Sequence, residues 1–302
     1  LSATALGVSS RGALWMLLGS LAFATMGVCV KYASEHFHAA ELVFYRGIIS
    51  ALIMAAALRL RALTWRTQVP AAHAWRSVTG VVALTAWFVA IAGLPLATAI
   101  TLNYMSSVWV GAFLVGSQWL LGRSRAPQQA PLMLAVLAGF VGVVMVLRPT
   151  LEQQQLLAGL IGLVSGLLSA LAYLQVTTLG RMGEPDERTV LFFGLACALF
   201  GGLASAALDF SSLNTMAALW LVPMGVLATI GQWCMTRAYR QGATLVVANL
   251  QYSGIVFGAF YSLLLFGDQI PLIGWLGMVL ITASGVLATI LREPKSAPTC
   301  DP

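Results

Sequence analysis

Arg46 stands inside an otherwise apolar run, LVFYRGIISALIMAAA, and is the charged side chain whose position most needs a reason. A guanidinium is a planar fork of five donors that keeps its proton, and an ion at the centre of a membrane span costs at least about 2.5–3.5 kcal/mol. Three uses are open to it. It can hold a carboxylate bidentately from a water-filled cavity, snorkel to the near interface, or pair with Glu41 or helix-end carbonyls. Two polar faces at helical spacing accompany it. Asn103, Ser106, Ser107 and Val110 fall at i, i+3, i+4 and i+7, and Asn249, Tyr252, Ser253 and Val256 repeat the spacing. Such faces either line a passage or hydrogen-bond helix to helix, a use worth only about 0.6 kcal/mol on average. Tyr45, Trp87, Tyr104, Trp109, Tyr173, Gln175, Gln232, Trp233 and Tyr252 add aromatic and amide groups. Each alone is better explained as core packing. Together they describe an apolar pocket with a few polar groups, suited to a flat amphiphile. The candidate binding set is therefore Arg46, Tyr45, Trp87, Asn103, Tyr104, Ser107, Tyr173, Gln232, Trp233, Asn249, Tyr252 and Ser253. By contrast Trp15, Trp65, Trp75, Trp119, Trp220 and Trp275 lie near span ends or in connectors, where an interfacial aromatic belt explains them.

The elements that must position these residues are membrane helices. Hydrophobic residues make up 59% of the 302-residue chain and charged residues 9%, with mean hydropathy +0.88. Soluble domains run nearer 45–50% and 25%. Apolar runs of about 20 residues recur, without the alternation of a β-barrel. Ten spans are expected, at 12–33, 40–60, 75–93, 96–121, 130–148, 157–180, 188–208, 216–236, 243–266 and 271–291. Each is about 18–26 residues, enough at 1.5 Å per residue to cross a core of about 30 Å with some tilt. Pro70, Pro95, Pro127, Pro131, Pro149, Pro185 and Pro271 punctuate the connectors. The first run, Gly12 to Ala33, is too long for a signal-peptide core and reads as a retained span; the tail from Ser296 to Pro302 reads as disordered.

One stretch occurs twice. Ala97-Thr98 opens a run ending at Gly122, and Ala243-Thr244 opens another ending at Gly267. Both carry Asn six residues in and continue to Gly-Ala-Phe, at Gly111 to Phe113 and Gly258 to Phe260. Gly80-Val81 with Trp87 is echoed by Gly225-Val226 with Trp233, and Arg46-Gly47 by Phe193-Gly194. The unit is five spans, 1–148 and then 149–302. Five is odd, so the second copy should enter the membrane from the opposite side: two inverted five-helix repeats, an architecture suited to alternating access. Glycines at Gly162 and Gly166, Gly139 and Gly142, and Gly274 and Gly277 would let helix backbones approach closely.

With the N-terminus inside, the inner face receives Arg11, Arg59, Arg61, Arg66, Arg76, Arg123, Arg125, Arg181, Arg188, Arg237, Arg240, Arg292 and Lys295. The outer face receives Lys31 and Arg148. That imbalance places both termini in the cytoplasm of a multi-pass inner-membrane protein. The formal charge of +6 is dispersed rather than gathered, which argues against nucleic acid as a partner.

Ten spans as five plus five, Phe44-Tyr45-Arg46-Gly47 in span two, and Ala238-Tyr239-x-x-Gly242-Ala243 before span nine resemble the EamA type of the drug/metabolite transporter superfamily. Within it the chain most resembles the YddG-type exporters of aromatic amino acids. The resemblance covers essentially the whole chain and is closest from Arg237 through Leu291. It departs where the family carries Pro midway along spans four and nine; Ser106-Ser107 and Ser253 stand there instead. The family's Gly-Glu after those spans is here Gly122-Arg123 and Gly267-Asp268. The resemblance implies export of small amphiphilic metabolites, aromatic or hydrophobic amino acids first. A broader drug or metabolite exporter, proton-coupled or not, is the alternative within the superfamily.

Other classes lack their residues. The three His, His36, His38 and His73, lie in connectors. There is no HExxH, no paired intramembrane Asp and no GxSG with a partner His, so an enzyme is not expected. Neither are filter segments or charge rings of a channel found. Cys29, Cys197, Cys234 and Cys300 show no ligand spacing, so neither disulfide, metal nor cofactor is expected. No Asp or Glu falls at mid-depth, which favours facilitated over ion-coupled movement. The expected partners are a small-molecule solute and membrane lipid, around a monomer.

Overall fold

The computed structural model describes residues 10–120, 134, 137–139, 141–146, 155–213, 216–242 and 244–290. The Ser296–Pro302 tail, Arg123, Arg148 and Arg292 lie outside these, as does the side chain of Trp119. The regular elements are α1 Ser10–Ala33, α2 Ala39–Leu60, α3 Pro70–Gly93, α4 Leu96–Tyr104 and α5 Ser106–Leu120, followed by α6 Leu137–Val146. Then come α7 Leu156–Arg181, α8 Asp186–Leu208, a 3₁₀ turn Met216–Trp220, α9 Leu221–Gln241, α10 Thr244–Leu250, α11 Ser253–Leu265 and α12 Leu272–Ile290. No strand occurs among the described residues.

Six of these stretches are long and apolar enough to cross a membrane: Gly12–Ala33, α2, α3, α7, α8 and Met216–Gln241. The pairs α4–α5 and α10–α11 each supply a further apolar length, interrupted once. Helix starts follow local chemistry. Pro70 takes the first position of α3, where its missing N–H costs nothing. Asp186 and Glu187 fill the first turn of α8, facing the positive end of its dipole. Glu41 accepts the backbone N–H of His38 (3.1 Å) at the head of α2.

Several boundaries differ from those expected, the end of α9 at 241 rather than 236 among them. Helix α3 begins at residue 70 rather than 75, and α8 at 186 rather than 188. The shift in α3 matters. Arg76, counted above among inner-surface cations, lies nearly two turns inside α3 and is 3% exposed. Apolar content alone marks where hydrophobic residues start, whereas a helix can start earlier on a proline.

Packing joins the two halves of the chain element by element. The most extensive interfaces are α2 with α8, α1 with α9 and α3 with α7. All three are antiparallel. Gly47 lies against the backbone of Cys197 and Ala198, Gly194 against Ala51, and Gly201 against Phe44 and Ala40. Likewise Gly12 meets Gly242 while Gly231 meets Phe23, and Gly93 meets Ala158 while Gly162 meets Ala90. Helices α4 and α11 also run antiparallel, as do α6 and α12 through Gly142 and Gly277, whose backbones touch. Gly274 faces only its own turn at Ile270 and Pro271.

The ends of the bundle differ in chemistry. At one end Arg61 pairs with Glu187 (2.6 Å), Arg240 with Asp186 (3.0 Å) and Arg188 with Glu184 (2.9 Å). Burial of the Glu184 carboxyl opposes its charge, but hydrogen bonds from Thr67, Arg188 and His73 outweigh that and hold it below its ordinary 4.5. At the other end the Lys31 ammonium caps α3 by donating to the carbonyls of Ile91 (2.9 Å) and Leu94 (2.7 Å). Glu41 there accepts from the backbone and hydroxyl of Ser211.

Candidate functional site

Helices α4–α5 and α10–α11 break at matching places, Met105 and Gln251-Tyr252. At both, the ladder tightens to i→i−3 bonds: Val108 to Met105 (2.9 Å) in the first, Tyr252 to Asn249 (3.0 Å) and Gly254 to Gln251 (2.9 Å) in the second. The chain breaks here without proline. Each break carries a serine whose hydroxyl bonds a main-chain carbonyl, Ser107 to Ala248 (2.6 Å) and Ser253 to Leu250 (2.8 Å). The two breaks lie against each other, since a Cβ on Gly254 would overlap the Tyr104 ring.

Beside the breaks is a cavity of about 40 Å³. Its wall comes from seven helices: Phe23 of α1, Arg46 of α2, Arg76 to Trp87 of α3, Asn103 and Tyr104 of α4, Ser169 to Tyr173 of α7, Phe193 of α8, and Gln232 and Met235 of α9. Arg46 is 1% exposed, so it does not snorkel, and it does not meet Glu41. Its Nη2 donates to Gln232 Oε1 (3.3 Å) and its Nη1 to Cys197 Sγ (3.6 Å), with its guanidinium carbon 5.0 Å from the Phe193 ring centroid. Trp87 Nε1 and Tyr104 Oη are buried here without a hydrogen-bond partner, whereas Tyr173 Oη accepts from Gln251 (3.1 Å). The site is polar on one wall and aromatic on the others.

Six of the twelve candidate residues converge on this cavity: Arg46, Trp87, Asn103, Tyr104, Tyr173 and Gln232. Asn103 also ties α4 to α7, donating to Ser165 (3.0 Å) and Ser169 (3.1 Å). The other six lie elsewhere. Tyr45 packs edge-on between Phe37 and Phe44, and Ser107 joins α5 to α10. Trp233 sits at the ion-paired end, donating to Glu187 (3.2 Å) and meeting Trp15 edge to face. Asn249, Tyr252 and Ser253 form the second break and are not part of the cavity wall. The semi-polar faces are thus not continuous stripes, because each break turns the residues on its two sides toward different neighbours. Among the wall residues outside the candidate set are Arg76, Phe193, Phe23, Ser169 and Met235.

No group of three or more His, Cys, Asp or Glu side chains that could hold a metal occurs among the described residues. Nor does the cavity wall contain a carboxylate among the described residues.

Residues 10–148 match the EamA-like transporter family. The pseudopaline exporter CntI of Pseudomonas aeruginosa is 31% identical over 92% of this chain and 93% of its own length. An uncharacterized transporter of Helicobacter pylori is 28% identical over 94% and 97%. A riboflavin transporter of Rhizobium johnstonii is 27% identical over 95% and 94%. A protein of known crystal structure shares the fold at TM-score 0.68, with 18% identity, over 94% of this chain and 99% of that one. A helical bundle around a cavity that mixes aromatic and polar side chains is the build of a membrane transporter, and the chain belongs to the EamA-like transporter family. It is a multi-pass membrane protein that transports small metabolites and not an enzyme.

Proposed function

We propose that this protein exports small amphiphilic carboxylates, aromatic or hydrophobic amino acids among them, across a bacterial inner membrane by alternating access. The observation that carries this reading is Arg46: a fully buried guanidinium in an aromatic-walled cavity, bonded to an amide oxygen and a thiol but to no acid. A carboxylate entering there would gain charge-assisted bonds that water supplies nowhere else in the interior. Trp87, Tyr104 and Tyr173 would receive the apolar body.

The division into inverted units, 1–148 and 149–302, is supported by two features. The helix breaks recur at equivalent positions, and α1, α2 and α3 pack antiparallel on α9, α8 and α7. Rocking one unit on the other would open the cavity to each face in turn. The positive-charge imbalance supports cytoplasmic termini, with the ion-paired end facing the cytoplasm. One chain encloses the cavity, which supports a monomeric carrier. The absence of an acid from the described wall supports facilitated movement without a coupling ion.

The test is flux in proteoliposomes with labelled phenylalanine and tryptophan, competed by cationic drugs. Arg46→Met should bring flux to background while leaving the detergent-purified protein monodisperse, and a pH gradient should not change the wild-type rate. Wild-type flux in the Arg46→Met variant, or competition by cations alone, would overturn the carboxylate reading.

A further inference from the structure

The cavity holds a second arginine. Arg76 is 3% exposed, lines the same wall as Arg46, and places its guanidinium carbon 4.2 Å from the centroid of the Phe193 ring. That of Arg46 lies 5.0 Å from the same centroid, so the two guanidinium carbons are separated by no more than the sum of these distances. Two positive charges share one small space. The Nε of Arg46 and both Nε and Nη1 of Arg76 have no hydrogen-bond partner. The π face of Phe193 offers both a weak quadrupolar attraction, which does not neutralise them. Facing groups on the wall are the amides of Gln232 and Asn103, the hydroxyls of Ser169, Tyr104 and Tyr173, and the Trp87 indole; none is anionic.

Helix α3 is built to keep Arg76 there. Gly80, one turn further on, lies under the guanidinium: a Cβ at that position would overlap Arg76 Nη1 and come within 2.8 Å of Phe193 Cε2. The side chain folds along its own helix into the cavity only because that position carries no side chain.

We infer that the solute carries two carboxylates, one for each guanidinium, with its apolar body against Phe193, Trp87 and Tyr104. This rests on the cavity being the transport site and names the class of solute it selects. A zwitterionic amino acid brings one carboxylate and one ammonium. The ammonium would face the second guanidinium, in a described wall with no acid to receive it. A dicarboxylate neutralises both charges and occupies the unpaired donors.

The experiment uses the full-length protein in proteoliposomes with three solutes that share a phenyl ring: phenylalanine, 3-phenylpropanoate and benzylsuccinate. Wild-type protein should take up benzylsuccinate at least about tenfold more effectively than 3-phenylpropanoate, the increment of one further charged hydrogen bond. Arg76→Gln should erase that preference, bringing benzylsuccinate flux down to that of 3-phenylpropanoate measured in the same variant, and Arg76→Lys should restore part of it. Equal wild-type handling of mono- and dicarboxylate overturns the inference without recourse to any variant. So does an Arg76→Gln variant that keeps the preference. If the monocarboxylate moves in an Arg46-dependent way with no advantage to benzylsuccinate, the dicarboxylate inference falls and the carboxylate-exporter reading stands. If none of the three moves, both fall.

Discussion

The arginines at the ion-paired end and the arginines of the cavity are the same residue type put to opposite uses. Arg61, Arg188 and Arg240 each reach a carboxylate within 3.0 Å. Their pairs run from α2 and α9 to the head of α8, and within the α7–α8 corner, and they bind those helix ends together. Arg46 and Arg76 are more deeply buried, where an uncompensated charge costs most, yet they have no such partner. A protein that needed only cohesion would pair its buried charges first. The contrast locates the interior's missing anion in the solute, and it can be broken from either side.

The largest effect should come from making the cavity resemble the ion-paired end. Gln232→Glu would set a carboxylate beside Arg46, where the amide oxygen now lies at 3.3 Å. The internal pair should raise thermal stability by roughly 1–3 kcal/mol and lower solute flux on the order of a hundredfold, because the substrate's place is taken. Thermal unfolding and proteoliposome flux check both arms. Undiminished flux would show that Arg46 does not receive the solute.

A smaller effect is expected from Gly80→Ala, which leaves both arginines in the chain but displaces one. The added methyl collides with Arg76 Nη1, so a dicarboxylate should lose about tenfold and a monocarboxylate little. If both solutes were affected alike, Gly80 would be a helix-packing residue and no more.

The smallest concerns the paired end. Glu184→Gln removes the acceptor shared by Arg188, Thr67 and His73, at roughly 1–2 kcal/mol, because those donors lose a charged acceptor. The carboxyl is held below 4.5 in the fold, so its contribution is complete above that pH and is lost as the pH falls through the lowered value. Thermal unfolding between neutral pH and pH 4 should show wild type losing more stability than Glu184→Gln, with flux at neutral pH unchanged. Parallel acid sensitivity in the two proteins would remove Glu184 from the account.

Much of the frame was legible in residue types alone. The membrane class, the long apolar spans, the cation at position 46 and the duplicated stretch followed from hydropathy and spacing. The helix interruptions were not, because serine replaces proline at both and breaks a helix only when its hydroxyl finds a carbonyl to bond. Arg76 was assigned to the surface because hydropathy marks apolar onset, while Pro70 starts the helix earlier. The pairing of Arg76 with Gly80 at i and i+4 was the available signal. Trp233, matched in the repeat to Trp87, lies instead on the ion-paired end against Trp15 and Glu187. Repetition of sequence does not carry the chemistry of the neighbours with it.

What the order of residues determined by itself is set by transfer free energy: which segments leave water, and which polar groups must go with them and be satisfied there. What the tertiary structure decided is which of those groups meet. Whether a buried guanidinium finds a carboxylate, a ring or an open donor site depends on helices distant in sequence and packed antiparallel. Electrostatic interactions inside a bundle are set by ångström-scale distances that no span length or spacing encodes.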